Sequence, residues 1–254
     1  MLLEGKKGLV LNVTNQNSLG WAIAQQAAAH GATVGVGSLN ERFQAGVDKL
    51  IGDNPAYVPL QVDFSSDESI EQMVRDTAER IGRIDFVVHA AATAKPEDLK
   101  GRFIETSRDG FALALDVSAY SFIAMCRALE PILNDDASVV TLSYLGSQRA
   151  IPGYNVMGVA KAALEASVRY LSVDLGERGI RVNALSPGPA QTISARGISN
   201  LREKMERAAE ISPLKRPAQQ DEVGLNGLWL ISDLSRGVSG QVVYIDAGYN
   251  IAGL

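Results

Sequence analysis

Short runs of apolar residues recur along the chain with helical stretches between them, and that alternation constrains the fold more than any other feature. The runs lie at residues 8–13, 33–36, 57–62, 84–89, 138–143, 180–185 and 242–246. They are rich in Val, Ile and Leu without strict alternation, as strands are when both faces of a sheet are covered. Helices are expected at 19–30, near 43–50, at 67–81, 109–133 and 156–175, near 199–209 and near 221–232. In the helix at 67–81, Ile70, Met73, Val74, Ala78 and Ile81 share one face and charges occupy the other. Ser18 stands as an N-cap for the first helix, and Gly31 closes it.

Strands joined by helices imply right-handed crossovers and a parallel sheet. The expected fold is therefore α/β: a single-domain, Rossmann-like, doubly wound parallel sheet with helices on both faces, spanning 1–254. No repeat, linker or break in composition divides the chain. The region near 186–209 follows the carboxyl end of a strand, where such sheets bind ligands, and is expected to serve as a substrate loop.

Composition narrows the function classes. The 254 residues include 24 basic and 29 acidic side chains, a formal net charge of −5, and 46% hydrophobic against 21% charged residues. This is ordinary globular usage, and a mildly acidic chain is a poor binder of polyanions, so no nucleic-acid partner is expected. The single cysteine, Cys126, excludes an internal disulfide framework and reads as a small core residue. Only His30 and His89 are present, without metal-ligand spacing, so no metal is expected. No run reaches roughly 18 uninterrupted apolar residues, and the apolar start is too short for a signal peptide. A cytoplasmic protein with no membrane partner is expected.

The turn after the first strand reads NVTNQNSLG over residues 12–20 rather than Gly-x-Gly-x-x-Gly. Backbone amides at the start of the helix can still hold a pyrophosphate, because that site needs a helix N-terminus rather than a fixed sequence. The same residues also read as a polar turn with a capping serine. After the second strand, Glu41 would repel a ribose 2′-phosphate and Arg42 would attract one. NADH is the expected cofactor, with NADPH as the alternative. Asp63, after the third strand, stands where it could meet an adenine amine, and also reads as a turn acid.

Chemistry concentrates in Ser143-Tyr144, Tyr154 and Lys161. Tyr154 and Lys161 are seven positions apart, about two helical turns or about 10 Å on one face. Long helical side chains lean toward the N-terminus, which carries the lysine toward the tyrosine. A nearby cation is expected to lower the phenol's pKa and make it a better proton donor or oxyanion stabiliser. A solvated lysine and a half-buried tyrosine on an amphipathic helix is the alternative reading.

The segment 141–161, TLSYLGSQRAIPGYNVMGVAK, resembles the active-site segment of bacterial enoyl-acyl-carrier-protein reductases, divergent members of the short-chain dehydrogenase/reductase superfamily. The common superfamily pattern puts three residues between Tyr and Lys; these reductases put six and carry another tyrosine ten positions earlier, as this chain does. Segments at 116–122, 181–184, 186–189, 232–240 and 246–251 are similar too, so the likeness covers nearly the whole length.

The resemblance implies reduction of the C2–C3 double bond of trans-2-enoyl thioesters in fatty-acid synthesis. NADH or NADPH would deliver hydride to C3, and the resulting enolate would be protonated at C2. Tyr154, Lys161 and Tyr144 would be catalytic. Tyr154 would hydrogen-bond the thioester oxygen, Lys161 would hold the nicotinamide ribose and Tyr144 would line the substrate site. The cofactor would lie against Asn12, Ser18, Leu19, Leu39, Asp63, Phe64, Ala90, Ala92, Lys161 and Thr192. The substrate would lie against Tyr144, Tyr154, Met157, Ala190 and Ile198. An acyl carrier protein is implied as a partner, docking on Arg196, Arg202 and Lys204, and the assembly would be a homotetramer.

Departures from the family pattern sit around the ligands. Asn12 stands for a glycine, Gly20 for an alanine, Ala22 for a glycine, Ala90 for a serine, Thr93 for an aromatic and Ala190 for a larger aliphatic residue. Asparagine tolerates positive φ better than most residues. These changes motivate two alternatives: a carbonyl reductase acting on a 3-oxo thioester or secondary metabolite, and a non-catalytic paralogue with impaired cofactor binding.

Overall fold

The computed structural model describes residues 1–189 and 201–252, without the side chains of residues 201, 202 and 204. The apolar runs become β1 (Lys7–Leu11), β2 (Thr33–Ser38), β3 (Tyr57–Gln61), β4 (Ile84–His89), β5 (Leu133–Leu142), β6 (Arg181–Pro187) and β7 (Val242–Ile245). They form one seven-stranded sheet in the order β3-β2-β1-β4-β5-β6-β7. Every neighbouring pair is parallel. The order reverses between β1 and β4, and ligands bind outside the carboxyl ends of strands at such a reversal.

The helices are α1 (Leu19–Ala29), α2 (Glu41–Ile51), α3 (Asp67–Arg80), α4 (Arg108–Leu115), α5 (Ser121–Leu129), α6 (Asn155–Asp174), α7 (Leu201–Ile211) and α8 (Gln220–Ile231). Successive strand residues point to opposite faces. Leu9, Leu11 and Val87 pack with Met73 of α3, Phe122 and Met125 of α5 and Leu164 of α6. Val10 and Val88, one position away, pack with Trp21 and Ile23 of α1, Val47 of α2 and Leu230 of α8. Double-sided covering explains why these strands show no polar alternation. Burial of a side chain such as Phe86 or Phe122, both fully covered, contributes about 1.5–3 kcal/mol relative to exposure.

The structure departs from the expected single helix over 109–133. α4 is followed by a π turn over Asp116–Tyr120, then α5, then a 3-10 turn over Glu130–Ile132. Pro131 lacks the N–H needed to continue the ladder. β5 then begins at Leu133 rather than at residue 138, and its register against β4 shifts between Ile84 and Phe86. The composite Arg108–Ile132 is, among the described residues, the one segment long and apolar enough to cross a bilayer. Half of its most apolar stretch is buried inside the protein, as in a core helix.

Candidate active site

The carboxyl ends of β1 and β4 meet at Asn12 and Ala90. Asn12 leaves β1 with φ +67° and donates Nδ2–H to the carbonyl of Ala90 at 3.1 Å, while Ala90 N–H donates to Leu11 O at 3.2 Å. The tolerance of asparagine for positive φ is therefore used here. Ser18 holds the N-cap position of α1 but does not cap it. Its hydroxyl oxygen instead accepts from Thr14 N–H and Asn15 N–H, each at 3.1 Å, and lies 2.9 Å from Thr14 Oγ1. The expected cap is thus a brace inside the turn, which leaves the first amides of the helix without its help. Gln220 of α8 braces the turn from outside, donating to Gln16 O at 2.8 Å and Ser18 O at 3.1 Å.

These observations fit a dinucleotide. Leu19 N–H and Gly20 N–H open α1, where an intrahelical acceptor is absent by geometry and a phosphate is favoured. Gly20 brings α1 close to the switch point: a Cβ there would lie 3.2 Å from Val10 Cγ1 and 3.5 Å from Ala90 Cβ.

Beyond β2, Leu39 is partly exposed and Asn40 caps α2, accepting from Phe43 N–H at 3.3 Å. Ser38 is committed to Gln44, at 2.7 Å. Asp63 Oδ1 accepts from Ser65 N–H at 2.9 Å and Ser65 Oγ–H at 2.6 Å, so one carboxylate oxygen belongs to the turn. Phe64 follows Asp63 in the same turn and turns its side chain into the core. Its ring is buried and meets His89 edge-on at 4.8 Å. It packs there with Ile70 and Met73 of α3, which leaves its backbone for any cofactor contact.

β5 ends at Leu142 and leads directly into Ser143 and Tyr144, and α6 starts immediately after Tyr154. The two tyrosine rings pack edge-to-face, centroids 4.7 Å apart at 67°. Gly146 makes this possible: a Cβ there would fall 2.4 Å from Tyr154 Cδ1 and 3.3 Å from Tyr144 Cδ1. Met157 lies in the same apolar cluster as Tyr154, with Tyr144 and Ala92 packed against it.

Lys161 is 4% exposed, and its ammonium donates to Leu142 O at 2.7 Å. Burial lowers its pKa to about 8, opposed by the charge of Glu165. The expected lowering of the Tyr154 pKa is overturned. Burial, then the neighbouring Tyr144 and Glu165, push it above the ordinary phenol value. Tyr144 is likewise pushed up to about 12 by burial and Tyr249. The physical reason is that desolvating a phenolate costs more than a cation aimed at a backbone carbonyl returns. Both tyrosines therefore stay protonated and present neutral O–H donors.

Behind the site, His89 is fully buried, with Nδ1 3.1 Å from Thr141 Oγ1 and Nε2 2.9 Å from Ser121 Oγ. Burial and the Lys161 charge bring its pKa down to about 3, so the ring is neutral. Ser118, in the π turn, accepts from Thr93 N–H at 3.0 Å and donates to Thr93 O at 3.1 Å. This pair of hydrogen bonds anchors the loop that carries Ala90 and Ala92 out of β4. π turns recur at functional sites.

Thr192, Ala190 and Ile198 lie outside the described residues, as do Arg196 and the side chains of Arg202 and Lys204. Sequence reasoning passed over Glu165, Gln220 and Ser118. Glu165 is four residues after Lys161, the spacing of an ordinary surface pair; it is 5% exposed and meets Ser143 and Ser147 of the turn after β5.

The sequence model of the family described as "Enoyl-(Acyl carrier protein) reductase" matches residues 13–250. The chain is 43% identical over 253 residues to enoyl-[acyl-carrier-protein] reductase [NADH] 1 of Rhizobium meliloti, covering 100% of this chain and 93% of that protein. It is 43% identical over 257 residues to the Nostoc enoyl-[acyl-carrier-protein] reductase [NADH], covering 99% of each. Among solved structures, the Bacillus cereus enoyl-acyl carrier protein reductase with NADP+ and indole naphthyridinone superposes with a TM-score of 0.97 at 42% identity, covering 100% of this chain and 99% of that one. The Anaplasma phagocytophilum reductase in complex with NAD gives 0.94 at 42% identity, covering 100% and 95%.

Proposed function

The chain belongs to the enoyl-(acyl carrier protein) reductase family, and from that premise we propose that it reduces the C2–C3 double bond of trans-2-enoyl thioesters in fatty-acid synthesis with NADH. The observation that carries this reading is the packed pair Tyr144–Tyr154, with buried Lys161 donating to Leu142 O two residues before Tyr144, in a sheet that shares its fold with reductases holding NAD or NADP+.

NADH, when bound, supplies the hydride equivalent added at C3. The amides of Leu19 and Gly20 and the turn at Asn12 would hold its pyrophosphate end, with Leu39 and Asp63 beyond β2 and β3 for the adenosine. Lys161 would hold the nicotinamide ribose, since one of its donors is taken by Leu142 O and the ammonium has three. Thr192 is assigned to the cofactor by the family likeness alone. Tyr154 donates its O–H to the thioester oxygen, where negative charge grows as C3 is attacked, and so stabilises the enolate before protonation at C2. Its raised pKa suits it to donate without giving up the proton. Tyr144 fixes the ring of Tyr154 edge-on and, with Met157, forms an apolar wall that excludes water from the acyl chain.

The physiological substrate is an acyl-carrier-protein thioester, docked near the 186–209 region, and the working assembly is a cytoplasmic homotetramer. Exposed apolar side chains on α4, α5 and α6, among them Phe111, Ile123, Tyr170 and Val173, support subunit contacts.

The test is NADH oxidation by the purified protein with a medium-chain trans-2-enoyl thioester, run beside a matched 3-oxo thioester. Turnover of the enoyl compound is expected. Turnover of the 3-oxo compound alone would make the protein a carbonyl reductase on the same scaffold.

A further inference from the structure

The turn that presents Tyr144 is held at both ends by one carboxylate oxygen. Ser143 Oγ–H donates to Glu165 Oε1 at 2.5 Å, and Ser147 Oγ–H donates to the same atom at 2.6 Å. Tyr144 lies between the two serines, and Ser147 N–H closes the turn on Tyr144 O at 2.9 Å. Two short O–H···O contacts converging on a single oxygen are the geometry of an ionised carboxylate. Glu165 is 5% exposed and Ser143 is 6% exposed, so the charge sits away from bulk water.

The opposite charge sits one helical turn earlier. Lys161 Nζ–H donates to Leu142 O, and Glu165 accepts from the hydroxyl of the next residue, Ser143. The last residue of β5 and the residue after it thus each engage one of two charges spaced by one turn of α6, about 5.4 Å along the axis. A buried ammonium without a counter-charge gives up its proton, whereas a nearby carboxylate keeps it.

We propose that Glu165 is a positioning residue of the reductase reaction: through Ser143 and Ser147 it sets the turn that carries Tyr144, and one helical turn away it holds Lys161 in its charged form. The proposal rests on the reductase reading. The other titratable groups that feel this pair are Tyr154 on the substrate side and Tyr244 on β7, which meet the Glu165 charge, and His89 on β4, which meets the Lys161 charge. None of these carries a full positive charge that could replace Lys161.

The experiment uses the full-length protein and Glu165→Gln, Glu165→Asp and Ser147→Ala, with Lys161→Ala as control. NADH affinity is measured by calorimetry from neutral to alkaline pH, and kcat/KM is measured with the enoyl thioester. Glutamine keeps the shape and an acceptor oxygen but removes the charge. In Glu165→Gln the alkaline loss of NADH affinity should begin about one pH unit lower, with kcat/KM down about tenfold at neutral pH. Glu165→Asp keeps the charge but withdraws it, so its alkaline limb should stay in place while kcat falls. Ser147→Ala should lower kcat several-fold and leave the limb unmoved.

Glu165→Gln profiles that superimpose on the wild type would overturn the charge role, and unchanged kcat in Ser147→Ala and Glu165→Asp would overturn the turn role. A Glu165→Gln chain that fails to fold, judged by circular dichroism, would assign the residue to folding instead. Wild-type protein that binds NADH but ignores enoyl thioesters would defeat the reductase reading alone, because the binding limb still reads the Glu165 charge.

Discussion

Asn12 Nδ2–H donates to Ala90 O across 3.1 Å, tying the end of β1 to the end of β4 where the strand order reverses. The asparagine side chain is thereby turned onto the neighbouring strand. Its φ of +67° remains one that glycine adopts without strain. Asn12→Gly should therefore keep NADH affinity within about threefold and lose no more than about 1 kcal/mol, the usual net value of one hydrogen bond. Asn12→Ala keeps a Cβ at positive φ and also loses the bond, so it should cost about 1–3 kcal/mol. Calorimetric NADH titration and urea denaturation decide both; a severe NADH defect in Asn12→Gly would make the amide a cofactor ligand.

Tyr154→Phe removes the O–H donor while preserving the ring against Tyr144. We expect kcat with the enoyl thioester to fall about 10²–10³-fold, the range for loss of one oxyanion donor, with NADH affinity nearly unchanged. Steady-state kinetics beside calorimetry separate the two effects. Wild-type kcat would remove the phenol from the reaction.

The alkaline limb of NADH binding should start near pH 8, where buried Lys161 loses its proton. Below that value the ammonium is charged and can donate; above it, affinity should fall by up to about tenfold per pH unit. Stability runs the other way. The folded value of about 8 lies below the ordinary 10.5, so between them the unfolded chain binds more protons and stability rises with pH. Lys161→Ala should flatten both curves.

On the acid side, His89 has the same sign with a different window. Its folded value of about 3 lies below the ordinary 6.5, so stability should fall as pH drops from about 6.5 toward 3. The single proton adds a slope of about 1.4 kcal/mol per pH unit. Urea unfolding at several acidic pH values should show a shallower decline in His89→Gln than in the wild type.

Gly146→Ala puts a Cβ 2.4 Å from Tyr154 Cδ1. One ring has to move, so kcat/KM should drop by tenfold or more, with a stability loss of about 1–3 kcal/mol from overpacking. Parallel kinetics and thermal unfolding would expose the error if activity survives.

Much of this was legible from residues alone. The apolar runs announced all the strands, since strands covered on both faces have little room for polar residues. Tyr154 and Lys161 stood out because their residue types and seven-position spacing can be read before any tertiary contact is known, although Tyr154 proves to sit at the N-cap of α6. What stayed hidden depends on contacts distant in sequence. Glu165 reads as a surface charge until the turn after β5 lies over it. The rise in the Tyr154 pKa comes from burial, which spacing cannot report, and spacing alone argued for the opposite sign. Ser18 has the right identity for a cap, but the direction of its hydroxyl is set by the Asn12–Ser18 loop.

The π turn at Asp116–Tyr120 makes this part of the chain sensitive to length rather than to residue type. Deleting one residue there would restore a plain α-helix and turn Arg108–Leu115 by about 100° relative to Ser121–Leu129. Ser118 could not then meet both polar groups of Thr93 while Phe122 kept its place in the core. Over evolutionary time the segment should accept many substitutions and almost no insertions or deletions, a constraint that a count of matching residues would never register.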